Sequence, residues 1–127
     1  MADPKRILIL DDSPVSLAGL RRALEARGHE VAAAETIVAF QALLDGFRPE
    51  LVITDLEMPD LPGQEVVRIL KQDPATERIP VVIFSGRPDG ELAAIAERAG
   101  ADGHLSKSGG LERLGALVDA LIDSILW

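Results

Sequence analysis

Residues 51–63 read LVITDLEMPDLPG, and this stretch decides how the rest of the chain is interpreted. Its start, 51–53, has the continuous apolar character of a strand that is covered on both faces of a sheet. Asp55 follows almost at once, and the two prolines and one glycine within 58–63 predict a loop. A carboxylate therefore stands at the carboxyl end of a buried strand.

Short apolar runs alternate with longer helical segments on both sides of this stretch. The other predicted strands share this short apolar character and lie at 7–10, 31–34, 81–84 and 104–105. Ser13 and Pro14 favour a helix start after the first strand, Gly28 is expected to close that helix, Thr36 to cap the second and Gly100 to end the fourth. Five β–α units predict an α/β fold, a doubly wound parallel sheet flanked by five helices, in the flavodoxin-like order 2-1-3-4-5.

Composition excludes several classes of function. The 127 residues suit one domain, and the absence of cysteine rules out disulfides, thiolate zinc sites and cysteine nucleophiles. A formal charge of −8 repels phosphate backbones, so this domain is not expected to bind nucleic acid. The apolar run at 7–10 is too short for a secretory signal or a membrane span. We therefore expect a cytoplasmic protein with no membrane partner.

Polar side chains follow the ends of four predicted strands, namely Asp11, Asp12, Asp55, Ser85 and Lys107. In doubly wound sheets ligands bind outside these ends, where the first and third strands are neighbours. Two carboxylates about 4 Å apart repel by roughly 4 kcal/mol at an effective dielectric of 20, so an acidic cluster needs protons or a cation. Oxygen ligands suit Mg²⁺ (or Mn²⁺), whose open shell leaves room for a phosphoryl oxygen. Asp55 would then be the nucleophile toward phosphorus.

This set of residues resembles a bacterial response-regulator receiver domain of the two-component systems, similar to the single-domain chemotaxis regulators. The resemblance rests on the five polar residues in this order, and on the run 51–63 with Met-Pro and Gly where the family typically has them. It covers the whole chain. We therefore expect one receiver domain over residues 1–127, with no output domain.

The resemblance implies a phosphorylation switch and not a metabolic enzyme. Asp55 would accept a phosphoryl group from the phosphohistidine of a sensor histidine kinase or a phosphotransfer protein. Asp12, helped by Asp11 partly through water, would hold Mg²⁺ together with Asp55 and the backbone carbonyl of Glu57. The acyl phosphate would then hydrolyse slowly.

The resemblance also implies how a signal leaves the site. Ser85 would bond the phosphoryl group and move, while Lys107 would pair with the phosphate. The face formed by helix four, strand five and helix five would change and control an unidentified partner protein, in a monomer or a phosphorylation-linked dimer. His104, three residues before Lys107, stands where receivers usually carry Tyr or Phe as a rotameric switch, so the chain departs from the family there.

Two further departures lie beside the site. Ser108 follows Lys107 where many receivers have proline in a cis peptide, and a non-proline cis bond costs about 2.5–4 kcal/mol, so we expect a trans bond. Glu57 and Arg87 occupy two variable positions that tune acyl-phosphate lifetime in the family by controlling water access. We expect a Glu–Arg pair to bridge over the site and shield it.

Other functions stay open at this stage. A receiver-like interaction module that is never phosphorylated is favoured by His104 and opposed by the acidic and lysine set. A flavodoxin-like electron carrier would meet carboxylates at 11–14 where the FMN phosphate should lie. An aspartyl-nucleophile phosphatase would have its D-x-D after the first strand and not at 55–57. The apolar end at 125–127 fits a dimer interface, a docking contact or a domain cut from a longer protein.

Overall fold

A computed structural model describes residues 3–59 and 61–125, whose five strands form one parallel sheet in the order β2-β1-β3-β4-β5. The strands are β1 (Arg6–Leu10), β2 (Glu30–Ala34), β3 (Leu51–Thr54), β4 (Val81–Ser85) and β5 (Gly103–Ser106). The helices are α1 (Pro14–Glu25), α2 (Ile37–Gly46), α3 (Gly63–Gln72), α4 (Asp89–Ala99) and α5 (Leu111–Ile125). The predicted fold class and strand order are confirmed.

Each face of the sheet buries its own apolar cluster. Ile7 and Ile9 of β1 point into the cluster formed with α1 and α5. Leu8 and Leu10 point the opposite way, into the cluster formed with α2, α3 and α4. All four side chains are completely buried. Burial on both faces explains why the strands read as continuous apolar runs and not as alternating ones.

The helix ends follow the predicted signals. Ser13 and Thr36 cap α1 and α2, each accepting a backbone N–H from three residues further on, and Gly100 ends α4 with a φ of 87°. The prediction that Gly28 closes the first helix is confirmed: the regular helix runs to Glu25, and the His29 N–H then donates to the Leu24 carbonyl at 3.2 Å across Gly28. Gly28 has a φ of 94° and its N–H donates to the Glu25 carbonyl at 2.9 Å, which is the usual glycine geometry just beyond a helix end.

A buried histidine joins α5 to the start of the sheet. The His29 side chain is fully buried, and its Nδ1 accepts the backbone N–H of Lys5 at 3.1 Å. The ring proton must then be on Nε2, which lies 2.9 Å from Asp119 Oδ1. Asp119 Oδ2 also accepts from Arg27 at 2.6 Å. Nothing near His29 in the sequence indicates a partner 90 residues away.

The sequence left three interpretations of the apolar residues 125–127: a dimer interface, a docking contact or the end of a domain cut from a longer protein. The structure describes α5 to Ile125, while Leu126 and Trp127 lie outside the described residues, so those alternatives stay predictions. Across the described parts of the chain, every helix is too short or too polar to cross a bilayer.

Replacing Asp119 by Ala should lower the free energy of unfolding by about 1–3 kcal/mol, because the buried His29 Nε2–H would lose its acceptor. Urea unfolding at neutral pH measures the change. Asp123→Ala is the control, since it removes an exposed carboxylate from the same helix. Equal unfolding midpoints for the two variants would show that the His29–Asp119 bond contributes nothing to stability.

Candidate functional site

Strand register brings the predicted site residues to one edge of the sheet. Leu10 of β1 pairs with Thr54 of β3, so the next residues, Asp11 and Asp55, are neighbours. Lys107 follows the end of β5, two strands away from β3. The carboxyl ends of parallel strands meet at the same edge, which is where doubly wound sheets bind their ligands.

The Lys107 ammonium joins the two neighbouring carboxylates. Its Nζ donates to Asp55 Oδ2 at 2.8 Å and to Asp11 Oδ2 at 2.9 Å. The carboxylate side chains are 6% and 2% exposed, whereas the Lys107 side chain keeps 29% of its surface in solvent. Buried charges are tolerated when they are paired, so this cation makes the acidic pair possible.

Asp55 is held at both of its oxygens. Oδ1 accepts the backbone N–H of Glu57 at 3.1 Å, while Oδ2 accepts from Lys107. Burial raises the pKa of Asp55, but these two hydrogen bonds, the ammonium charge and the nearby Ser85 hydroxyl together outweigh burial and bring the pKa below its usual range. Burial likewise lowers the pKa of Lys107, and its two carboxylate partners raise it above the usual value. Asp55 is therefore ionised at neutral pH, as a carboxylate nucleophile must be.

Asp11 serves the start of α1 as well as the site. Its Oδ1 accepts the backbone N–H of Ser13 at 2.9 Å, and its Oδ2 accepts from Ser16 Oγ at 2.8 Å. One carboxylate thus supports the start of α1 and also belongs to the site.

Gly63 fixes the loop that follows Asp55. A Cβ at this position would overlap the Asp55 carbonyl oxygen and would lie 2.8 Å from the carbonyl carbon. The Gly63 N–H also donates to the Leu56 carbonyl at 3.2 Å. Only a residue without a side chain lets α3 begin this close to the Asp55 backbone, which gives the glycine of the 51–63 run a steric reason.

The Ser85 hydroxyl is a buried polar group at the end of β4. Ser85 ends β4 and is completely buried, and within the described residues its Oγ makes no hydrogen bond. Leaving a buried hydroxyl unpaired costs about 1–3 kcal/mol. Such a group in a native structure needs a physical reason, and an incoming ligand oxygen would supply the missing partner.

Asp12 does not converge with the other two carboxylates. It is exposed and lines a groove of about 440 Å³ together with Glu57 and Arg87. Over residues 3–59 and 61–125, no three acidic, histidine or cysteine side chains lie close enough to hold a metal ion. Three carboxylates on one rim were expected, but Lys107 occupies the space between Asp11 and Asp55, and Asp12 turns outward beside them.

Glu57 and Arg87 bridge the edge of the site, as the sequence suggested. Arg87 Nε donates to Glu57 Oε1 at 2.8 Å, which joins the loop after β3 to the loop after β4. The hydrogen bond to Glu57 raises the pKa of Arg87. Both side chains are exposed, and such pairs contribute about 1 kcal/mol or less to stability. The pair therefore contributes little to the stability of the fold.

The segment around Lys107 has His104 in place of the usual aromatic switch residue and Ser108 in place of the usual proline. His104 is half-buried on the edge strand β5, paired in register with Ile83 of β4. Every peptide bond in the described residues is trans, including the one that follows Lys107, as expected. Lys107–Gly109 form a short 3-10 turn that the sequence did not predict.

Lys107→Met should raise the pKa of Asp55, because burial remains while the ammonium is lost. Carbon NMR titration of the Asp55 carboxyl measures this, with Lys71→Met as the control because Lys71 pairs with Asp102 elsewhere.

The same pair makes stability depend on pH. Since the folded pKa of Asp55 lies below its unfolded value, its contribution is present above about pH 4 and is lost as pH falls through the folded pKa. Acid should therefore destabilise the wild type more than Lys107→Met. Identical titration curves in the two proteins would contradict this account.

Comparison with known proteins finds matches over most of the chain. Residues 7–119 match the family described as "Response regulator receiver domain". The chain is 35% identical to Protein PilH of Pseudomonas aeruginosa over 117 residues, which cover 92% of this chain and 97% of PilH. It is 36% identical over 117 residues to the gliding motility regulatory protein of Myxococcus xanthus, covering 91% of this chain but only 15% of that protein.

Solved structures share the fold. The chemotaxis response regulator CheY4 of Vibrio cholerae superposes with a TM-score of 0.84, covering 94% of this chain and 99% of that one, at 23% sequence identity. At this identity the likeness shows that the two chains have the same architecture.

Proposed function

The chain belongs to the response regulator receiver domain family, and on that basis we propose that it is a phosphoacceptor switch whose acceptor is Asp55. Receiver domains are signalling switches and not metabolic enzymes, and they interact with histidine kinases or phosphotransfer proteins. They generally bind Mg²⁺ at an acidic pocket. The donor for this chain would be the phosphohistidine of such a partner.

One observation carries the proposal: Lys107 holds the ionised Asp55 carboxylate beside the buried Ser85 hydroxyl, which finds no hydrogen-bond partner among the described residues. A phosphoryl group on Asp55 brings negative charge and several strong acceptor oxygens. The Lys107 ammonium and the Ser85 O–H are the donors that such oxygens need. The resting contacts thus supply a nucleophile, a counter-charge and an unused donor.

The transfer requires only positioning and charge stabilisation from the protein. A carboxylate oxygen of Asp55 would attack phosphorus, and the donor's N–P bond would break as the new O–P bond forms. The electron pair of the N–P bond would stay on the nitrogen of the departing imidazole. Lys107 and Ser85 would then stabilise the phosphoryl oxygens. Attack of water on phosphorus would then break this O–P bond, release inorganic phosphate and return Asp55 to its carboxylate form.

The chemistry of the donors at this edge suits Mg²⁺ or Mn²⁺, and Asp12 would have to turn toward Asp11 and Asp55 to complete the site. The candidate ligands are hard oxygens, from the carboxylates of Asp11, Asp12 and Asp55 and the backbone carbonyl of Glu57, with no thiolate or imidazole among them. When bound, the ion would offset the charge of the carboxylates and of the phosphoryl group. Asp12, exposed at the groove, is accessible to a hydrated ion.

The signal would leave through the face formed by α4, β5 and α5. Ser85 is the last residue of β4 and leads into α4, and Lys107 joins β5 to α5. The two residues proposed to contact the phosphoryl group are therefore continuous in the chain with that face. A downstream protein that distinguishes the two states would bind there.

Asp55→Asn should abolish phosphorylation, because an amide is not a nucleophile toward phosphorus. Intact-protein mass spectrometry after incubation with Mg²⁺ and acetyl phosphate should show one added phosphoryl group on the wild type and none on the variant. Asp45→Asn, at an exposed position on α2, is the matched control and should be modified normally. An unmodified wild type would overturn the proposal and favour the interaction module that is never phosphorylated.

Arg87→Ala should shorten the lifetime of the acyl phosphate, because the bridge to Glu57 shields the site from water. An exposed pair of about 1 kcal/mol corresponds to at most about a fivefold rise in the hydrolysis rate. The rate is followed as phosphoprotein lost after removal of the donor, with the exposed Arg78→Ala as control. Equal rates in wild type and Arg87→Ala would remove the shielding role.

A further inference from the structure

One hydrogen bond ties the start of α4 to the strand that leads to Lys107. The backbone N–H of Ser106 donates to Asp89 Oδ1 at 2.8 Å. Ser106 is the last residue of β5, is 2% exposed and immediately precedes Lys107. Asp89 is the first residue of α4. We refer to this Asp89–Ser106 bond as the clasp.

Ser106 contacts the residues at both ends of the β4–α4 loop. In the sheet it pairs in register with Ser85, the residue before the loop, and through the clasp it holds Asp89, the residue after the loop. Only residues 86–88 lie between these two attachment points. A loop this short cannot carry α4 to a new position unless Ser106 moves with it or the clasp opens.

The chemistry of the clasp makes it stronger than an ordinary backbone bond. An N–H that donates to a carboxylate is short and about twice as strong as a neutral pair. β5 is an edge strand, so Ser106 lies where the sheet has no further strand to add support. Glu91 provides a matched comparison, because it is a second acidic residue in the first turn of α4 and shares the favourable interaction with the helix dipole.

We propose that Asp89 is a positioning residue that couples the Asp55 site to α4 through Ser106. A displacement of Ser85 or Lys107 on phosphorylation is transmitted by the clasp to the first turn of α4. This coupling rests on the proposed function. Loss of the clasp should separate two events, so that the site still binds its phosphoryl group while α4 responds less.

The first test uses the unliganded protein. Asp89→Ala should speed amide hydrogen exchange at Ser106 by about tenfold, because its N–H loses the carboxylate acceptor. Asp89→Asn retains an oxygen acceptor and should restore most of the protection, and Glu91→Ala should leave exchange as in the wild type. An unchanged Ser106 exchange rate in Asp89→Ala would show that the clasp does not protect this amide. That result would overturn the coupling role whether or not the protein is phosphorylated.

The second test adds Mg²⁺ and beryllofluoride, a mimic of the aspartyl phosphate, and follows backbone amide shifts by NMR. In the wild type and in Glu91→Ala we expect shifts at Asp55 and Lys107 that extend to Leu92 and Ala96 of α4. Asp89→Ala should keep the shifts at Asp55 and Lys107 but lose at least half of those on α4, with Asp89→Asn intermediate.

The outcomes distinguish the two proposals. Full propagation to α4 in Asp89→Ala would overturn the coupling role while leaving the proposed function intact. A wild type that does not bind the mimic would instead overturn the proposed function, and the Ser106 exchange rates would still support or overturn the clasp. A protein that merely unfolds is recognised from its amide spectrum, and Asp89→Asn then provides the comparison.

Discussion

The Lys107 ammonium between Asp11 and Asp55 is the contact on which the arrangement of the site depends. The strand order places two almost fully buried carboxylates next to each other, and at about 4 Å such a pair repels by roughly 4 kcal/mol at an effective dielectric of 20. Neighbouring strands are about 4.8 Å apart, so a cation from the end of β5 must reach past β4 to meet both carboxylates. The long, flexible stem of a lysine covers that distance with its charge at the tip.

The contacts of Lys107 satisfy the carboxylates of the site but not the Ser85 hydroxyl. The single Lys107 ammonium offsets one of the two negative charges of Asp11 and Asp55, and both carboxylates accept hydrogen bonds. Among the described residues, the Ser85 hydroxyl on the neighbouring strand has no hydrogen-bond partner. A negatively charged ligand oxygen that binds beside Ser85 gives its hydroxyl a hydrogen-bond acceptor. The same oxygen competes with the two carboxylates for the Lys107 ammonium. Because both residues continue directly into α4 and α5, a local exchange of partners has a short path to the surface.

Periodicity and strand-end position accounted for most of the fold and for the main site residues. Apolar runs located β1, β3 and β4 because burial on both faces leaves a continuous pattern, whereas the edge strands β2 and β5 gave weaker signals. Asp11, Asp55 and Lys107 meet because parallel strands end together. The outward turn of Asp12 was not predictable, since side-chain direction beyond the last paired residue is set by local loop geometry. The Asp89–Ser106 bond was missed for a related reason: a side chain that accepts from a distant backbone N–H leaves no periodic signal.

The His29–Asp119–Arg27 cluster at the opposite end of the sheet has a consequence for how this protein tolerates change. It lies at the amino ends of the strands, and the five residues of β1 separate it from the carboxylates by roughly 15 Å. Substitutions at such a distance, with no shared contacts, usually have additive effects on free energy. Substitutions at the amino ends of the strands can therefore change the thermal stability of the domain while the chemistry at the carboxyl ends stays constant. The two ends of one parallel sheet can evolve independently.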